Sequence, residues 1–174
     1  AGSGPGSGGA LLNVAGNNIL SGTIDLGSNI EVVTSSGELT LSGVIADGGN
    51  IYGLTTGGTG TLVLGGNNLF SGAINATEGN LRLVNSNAGG FGLISVFSTA
   101  TLQLSGGITV ANSIRLSGQG VGSDDGALQV LDGDNLITGA ITLTADSTIS
   151  LVGTSQLTVS GVIDDGLLDN SLTV

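Results

Sequence analysis

The sequence predicts an all-β chain wound as a right-handed parallel β-helix, a β-solenoid. Three observations lead there. Apolar and polar residues alternate with period two in short runs, a Ser-Gly-x-Ile signature recurs along the chain, and no window sustains the i, i+3, i+4, i+7 apolar spacing of a helix. Neighbouring side chains in a strand point to opposite faces, so a triplet such as Ile24-Asp25-Leu26 buries two aliphatic groups and exposes one polar group. The frequent glycines would interrupt a helix repeatedly, so helix is expected to be nearly absent.

Residues 1–9, rich in Gly and Ser, read as a flexible linker or trimmed start outside the fold, and residues 10–174 as one solenoid module. Half-buried strands follow at Ile24-Asp25-Leu26, Leu39-Thr40-Leu41, Leu81-Arg82-Leu83, Leu102-Gln103-Leu104 and Ile114-Arg115-Leu116. They continue at Leu128-Gln129-Val130, Ile141-Thr142-Leu143, Ile149-Ser150-Leu151 and Leu157-Thr158-Val159. The signature places its glycine at Gly22, Gly43, Gly72, Gly106 and Gly161, with Gly139 in a Thr-Gly-Ala-Ile version. Successive glycines are 21, 29, 34, 33 and 22 residues apart. Each interval is expected to be one turn, the longer ones enlarged by loops at residues 85–92 and 118–126.

A larger unit encloses the signature. Residues 62–74 match residues 12–24, and residues 128–141 repeat the pattern with one extra residue. Its Gly-Asn-Asn element, which contains Asn17 in one copy and Asn67 in another, suits a corner. Gly and Asn tolerate positive φ, and an Asn side chain satisfies backbone groups at a bend, so buried corners favour Asn over Asp. A sandwich of hairpins also has short alternating strands, but it would seldom repeat so closely. In a solenoid every coil meets the same environment, and similar residues recur at similar places. The scarcity of aromatic residues fits a slim interior.

Composition narrows the function. Lys, His, Cys, Met and Trp are absent, Arg82 and Arg115 are the basic residues, and the formal net charge is -11 at pH 7. Nucleic acid and anionic membranes are poor partners for such a chain, because both demand Lys and Arg. No apolar run is long enough to span a bilayer as a helix. Thiol and imidazole chemistry, and with them disulfides, are excluded.

Acidic clusters remain the chemical candidates: Asp124-Asp125, Asp132 with Asp134, and Asp164-Asp165 with Asp169. Paired carboxylates serve acid and base in glycosidases, and several oxygens hold Ca²⁺. Asp132 and Asp134 are the weak Ca²⁺ candidates, yet neither an EF-hand nor the calcium-solenoid nonapeptide is present. Asp and Gly are also ordinary turn residues, which explains these positions without a site. No catalytic residue and no cofactor is expected. Phe70 is expected in the core, and Phe91 and Phe97 beside a loop that they pack.

Residues 44–72 carry a more specific pattern, in which Gly58-Thr59-Gly60-Thr61-Leu62 leads through Gly65-Gly66-Asn67-Asn68 and Phe70 to Gly72. This resembles the autotransporter-associated β-strand repeat, with Phe70 where that family usually has Tyr and Thr56 where it usually has Lys. Weaker copies extend over residues 10–174, while the middle, residues 85–125, departs from the pattern. The resemblance implies a large secreted or surface protein of a Gram-negative-type bacterium, in which the repeat serves secretion and passenger folding rather than a reaction. It implies a structural stalk, with the loops at residues 85–92 and 118–125 as contact surfaces for a host or surface ligand. The chain is then a module of a longer protein, partnered by neighbouring coils or by end-to-end self-association. Two other readings accompany it: a carbohydrate-active β-helix enzyme, and an ice-binding solenoid built on Thr pairs such as Thr142 and Thr144.

Overall fold

The computed structural model describes residues 9–122 and 125–174. Strands are short because corners recur every few residues, and among the described residues there is no helix. All strand pairings are parallel. Each strand pairs with the equivalent strand one coil away, so the chain is a parallel β-helix. Parallel pairing requires a crossover between partners, and here the crossover is the rest of the coil.

One wall stacks Leu11–Asn13, Ile30–Thr34, Leu54–Gly57, Ile74–Ala76, Ile94–Val96, Ile114–Gly118 and the front of Ile141–Leu151, with Ile163–Asp164 beyond. A second wall stacks Asn17–Leu20, Glu38–Leu41, Thr61–Leu64, Gly79–Leu83, Ala100–Leu104, Leu128–Val130 and the end of Ile141–Leu151. The long strand Ile141–Leu151 belongs to both walls and joins them into one sheet. A third, less regular side carries Ile24–Asp25 over Ile45–Ala46, and further along Thr109–Val110, Asp134–Ile137 and Gln156–Val159.

Period two now has a physical meaning. In the first wall Leu54, Ile74, Ile94, Ile114 and Ile141 lie in one register column, each 0–1% exposed. In the second wall Leu39, Leu62, Leu81, Leu102, Leu128 and Ile149 form another, beside Leu41, Leu64, Leu83, Leu104 and Val130. These columns face one another across a single continuous core. Burying one such side chain contributes roughly 1.5–3 kcal/mol, so the interior columns dominate the stability of every coil. Phe70 is fully buried on the third side and fills the space that small neighbours leave there.

The Ser-Gly-x-Ile copies do not mark one turn each. Gly22, Gly43 and Gly106 leave the second wall, whereas Gly72, Gly139 and Gly161 enter the first. The long intervals therefore combine a turn with a change of corner. The coil length proper is seen at Leu54, Ile74, Ile94 and Ile114, spaced 20 residues apart in register. Both corners demand the same local order of strand, glycine and aliphatic residue, so sequence similarity alone does not distinguish them. Likewise residues 12–24 begin in the first wall, while residues 62–74 and 128–141 begin in the second.

The two expected loops also differ. Residues 85–92 are no insertion: they follow the path of the coil before, with Phe91 N–H donating to the Phe70 carbonyl at 3.0 Å. The chain between Gly118 and Leu128 is a true insertion between the walls, consistent with the 27 residues from Ile114 to Ile141. Its described residues on either side, Val121 and Gly126, lie over the outer face of the second wall. Val121 N–H donates to Thr101 Oγ1 at 3.0 Å, and Thr101 Oγ1 donates to the Gly126 carbonyl at 3.0 Å. Thr101 and Gln103 thereby become buried although they lie on the outside of the sheet. Opposite this insertion the ladder shifts register between Leu116 and Gly118, so that the strand carrying Thr144, Ala145 and Asp146 bulges outward.

Candidate functional site

The distinctive chemistry of this molecule lies between coils. At five of the six signature glycines φ is not positive. At four of them, Gly43, Gly72, Gly139 and Gly161, a Cβ would fall on the backbone of the adjacent coil. Their role is close approach of backbone to backbone. A Cβ on Gly43 would strike the Gly22 carbonyl, one on Gly72 the Tyr52 and Gly53 backbone, and one on Gly161 the Gly139 carbonyl. Gly106 is different, with φ +92° and open space around it. Gly22 also has open space.

Corner asparagines bond from coil to coil, but the buried one is not either of the two that the Gly-Asn-Asn element singled out. Asn17 and Asn67 are exposed, and the buried member of the second pair is Asn68. Its Oδ1 accepts from Ile45 N–H at 2.8 Å and its Nδ2 donates to the Ala88 carbonyl at 2.7 Å, linking coils on either side. Asn135 makes half of this link: it accepts from Ile108 N–H of the coil before at 3.0 Å but donates within its own coil, to the Asp132 carbonyl at 2.8 Å. Asn112, which stands where other coils have glycine, donates to the Gly92 carbonyl at 2.7 Å. Asn17 still joins coils, its Oδ1 accepting from Glu38 N–H at 3.1 Å, and Asn67 Oδ1 accepts from Asn87 Nδ2 at 2.6 Å.

Three aspartates act as inter-coil staples. Asp47 Oδ2 accepts from both the backbone N–H and the hydroxyl of Ser71, each at 2.9 Å. Asp146 Oδ1 accepts from the N–H and hydroxyl of Ser171 at 2.7 and 2.9 Å. Asp132 accepts from the Ser105 hydroxyl at 2.8 Å and from Gly106 N–H at 2.6 Å. These donors hold all three carboxyls below the ordinary value. The Ser71 N–H leads for Asp47, the Ser105 hydroxyl for Asp132, and the Ser171 N–H for Asp146.

The acidic clusters consequently resolve into structure. Asp132 has both oxygens engaged by the neighbouring coil, and Asp134 is exposed beside it. Among the described residues no three acidic side chains converge as a cation cage. Asp164 and Asp165 accept backbone N–H bonds from Gly166, Leu167 and Asn170, a turn arrangement, and Asp169 sits at positive φ in the same turn. Asp125 accepts from Gln129 Nε2 at 3.3 Å, and Asp124 lies outside the described residues.

On the outer face of the second wall a polar ladder climbs the coils. Arg82 pairs with Glu38 at 3.0 Å, reaching across an intervening coil, and its Nε donates to Gln103 Oε1 at 3.0 Å. Gln103 in turn donates to Gln129 at 2.8 Å. The outer column of the first wall reads Glu31, Thr55, Asn75, Ser95, Arg115, Thr142 and Asp164. It is chemically mixed, so Thr142 and Thr144 are not part of a uniform threonine face. Phe91 and Phe97 are exposed rather than packed against a loop. Sequence reasoning missed the serine partners of Asp47 and Asp146 because each lies a full coil from its acid. The chain matches no family model, no curated protein and no solved structure.

Proposed function

We propose that this chain is a stalk segment of a secreted or surface-displayed, autotransporter-like passenger. The observation that carries the reading is the unbroken parallel stack: the same inward columns run through successive coils, locked by backbone ladders and by side-chain bonds from coil to coil. A quasi-one-dimensional stack of this kind is stiff, and each coil offers a template for the next, which suits folding outside a cell without ATP. Strong negative charge keeps such segments soluble and apart. The likeness of residues 44–72 to the autotransporter-associated repeat supports the same role.

The test is display. The chain is placed between a signal peptide and a translocator barrel in a Gram-negative host, and its accessibility to external protease on intact cells is measured. Surface exposure in a folded, protease-limited form is the expected result. Accumulation in the periplasm, with no surface material, would overturn the assignment.

A further inference from the structure

Exposed Phe97 and Arg115 share a groove on the outer face of the first wall, a feature a stalk does not require. In-register pairing sets Ser95 beside Arg115 and Arg115 beside Thr142, with Val96, Leu116 and Leu143 pointing into the core between the two outward columns. Alternation then places Phe97, Ser117 and Thr144 in the next outward column. Together Ser95, Phe97, Arg115, Ser117 and Thr144 line a groove of about 310 Å³. The outward bulge after Leu143 forms one flank, and Thr144 is held there by donating its hydroxyl to the Leu116 carbonyl at 3.0 Å.

An exposed aromatic ring beside an unpaired cation sets this groove apart from the one lined by Phe91, which holds no cation. Phe97 is 49% exposed although the chain has few aromatic residues. Arg115 is exposed and, among the described residues, makes no ion pair: the single one belongs to Arg82 and Glu38. Its column neighbours, Ser95 and Thr142, are neutral. A guanidinium without a carboxylate partner can form a bidentate pair with one supplied from outside, at short range and against the repulsion of the chain's net charge of -11.

We propose that this groove binds an acidic sugar, a uronate unit of a polysaccharide. The carboxylate would be held by the Arg115 guanidinium, the apolar face of the ring would rest on Phe97, and Ser95, Ser117 and Thr144 would exchange hydrogen bonds with the hydroxyls. An aromatic surface with a few convergent polar groups is the usual make-up of a small-molecule site. One cation is too few for nucleic acid, which needs many phosphate contacts. No group at the site is placed as a nucleophile or general base, so the assignment is to binding. It goes beyond the stalk reading, and its failure would leave that reading intact.

Isothermal titration of the whole chain with trigalacturonate, trimannuronate and the trimethyl ester of trigalacturonate tests it. Binding of at least one uronate is expected, weakened about tenfold or more in Arg115→Gln and by the methyl ester, and weakened also in Phe97→Ser. Both side chains point outward, so unchanged melting and circular dichroism of the variants certify the fold. Absence of binding by both uronates at about 10 mM would overturn the proposal. Binding indifferent to Arg115→Gln or to esterification would overturn it equally.

Discussion

Gly65 and Gly66 stand side by side in the chain and meet opposite constraints. A Cβ on Gly65 would lie 3.4 Å from a Val84 methyl, an ordinary contact, whereas one on Gly66 would strike the Gly43 carbonyl in the coil before. Neither has positive φ, so the difference is one of space. Gly65→Ala is expected to leave stability within about 0.5 kcal/mol, since restricting the unfolded chain offsets small strain. Gly66→Ala should cost roughly 2 kcal/mol or more, because backbone must move. Urea denaturation of the two variants checks both values. Thr56 offers a test of opposite sign. It occupies the interior column between Val32 and Ala76, 2% exposed, and its hydroxyl has no partner. Thr56→Val should raise stability by about 1 kcal/mol, and a fall in the melting temperature would refute this account of the column.

At the scale of coil pairs, the three Asp–Ser staples make stability depend on pH. Their carboxyls titrate in the folded chain below the ordinary 3.8. A depressed carboxyl contributes stability that is fully present above the unfolded value and is lost as pH falls from there through the folded value. Denaturation midpoints should therefore fall as pH drops below about 3.8. Asp47→Asn should be less stable at neutral pH and should show a shallower acid slope, because the amide carries no charge and, with its oxygen turned to Ser71, sets an N–H donor against the Gly49 N–H that Asp47 Oδ1 accepts. An unchanged slope would remove Asp47 from the set. Strand content was legible in the sequence because alternation depends only on neighbouring residues: Leu81, Arg82 and Leu83 announce their faces without reference to the fold. Corner identity was not legible. Gly43 and Gly72 share a motif yet occupy different corners, since both places ask for the same close approach. Parity hid the buried asparagine in the same way, for Asn67 and Asn68 are equivalent as residues and only the turn of the chain decides which faces inward. The groove at Phe97 and Arg115 was illegible because its members belong to three coils.

For the whole molecule everything depends on which residues lie above one another. The parallel register sets Asn75 beside Thr55 in the adjacent coil, and Ser95 one coil further on. Adjacent coils are about 4.8 Å apart, within reach of a disulfide, whereas two coils span about 10 Å and exceed it. The chain has no Cys of its own, so paired substitutions report without background. All three positions lie in the outer column of the first wall, so oxidation probes the stack without disturbing the core. The most direct measurement is oxidation of the folded Thr55→Cys/Asn75→Cys variant alongside Thr55→Cys/Ser95→Cys. Near-complete intramolecular crosslinking in the first and almost none in the second is the predicted result. Crosslinking in the second pair, or its absence in the first, would contradict the stacked parallel coil.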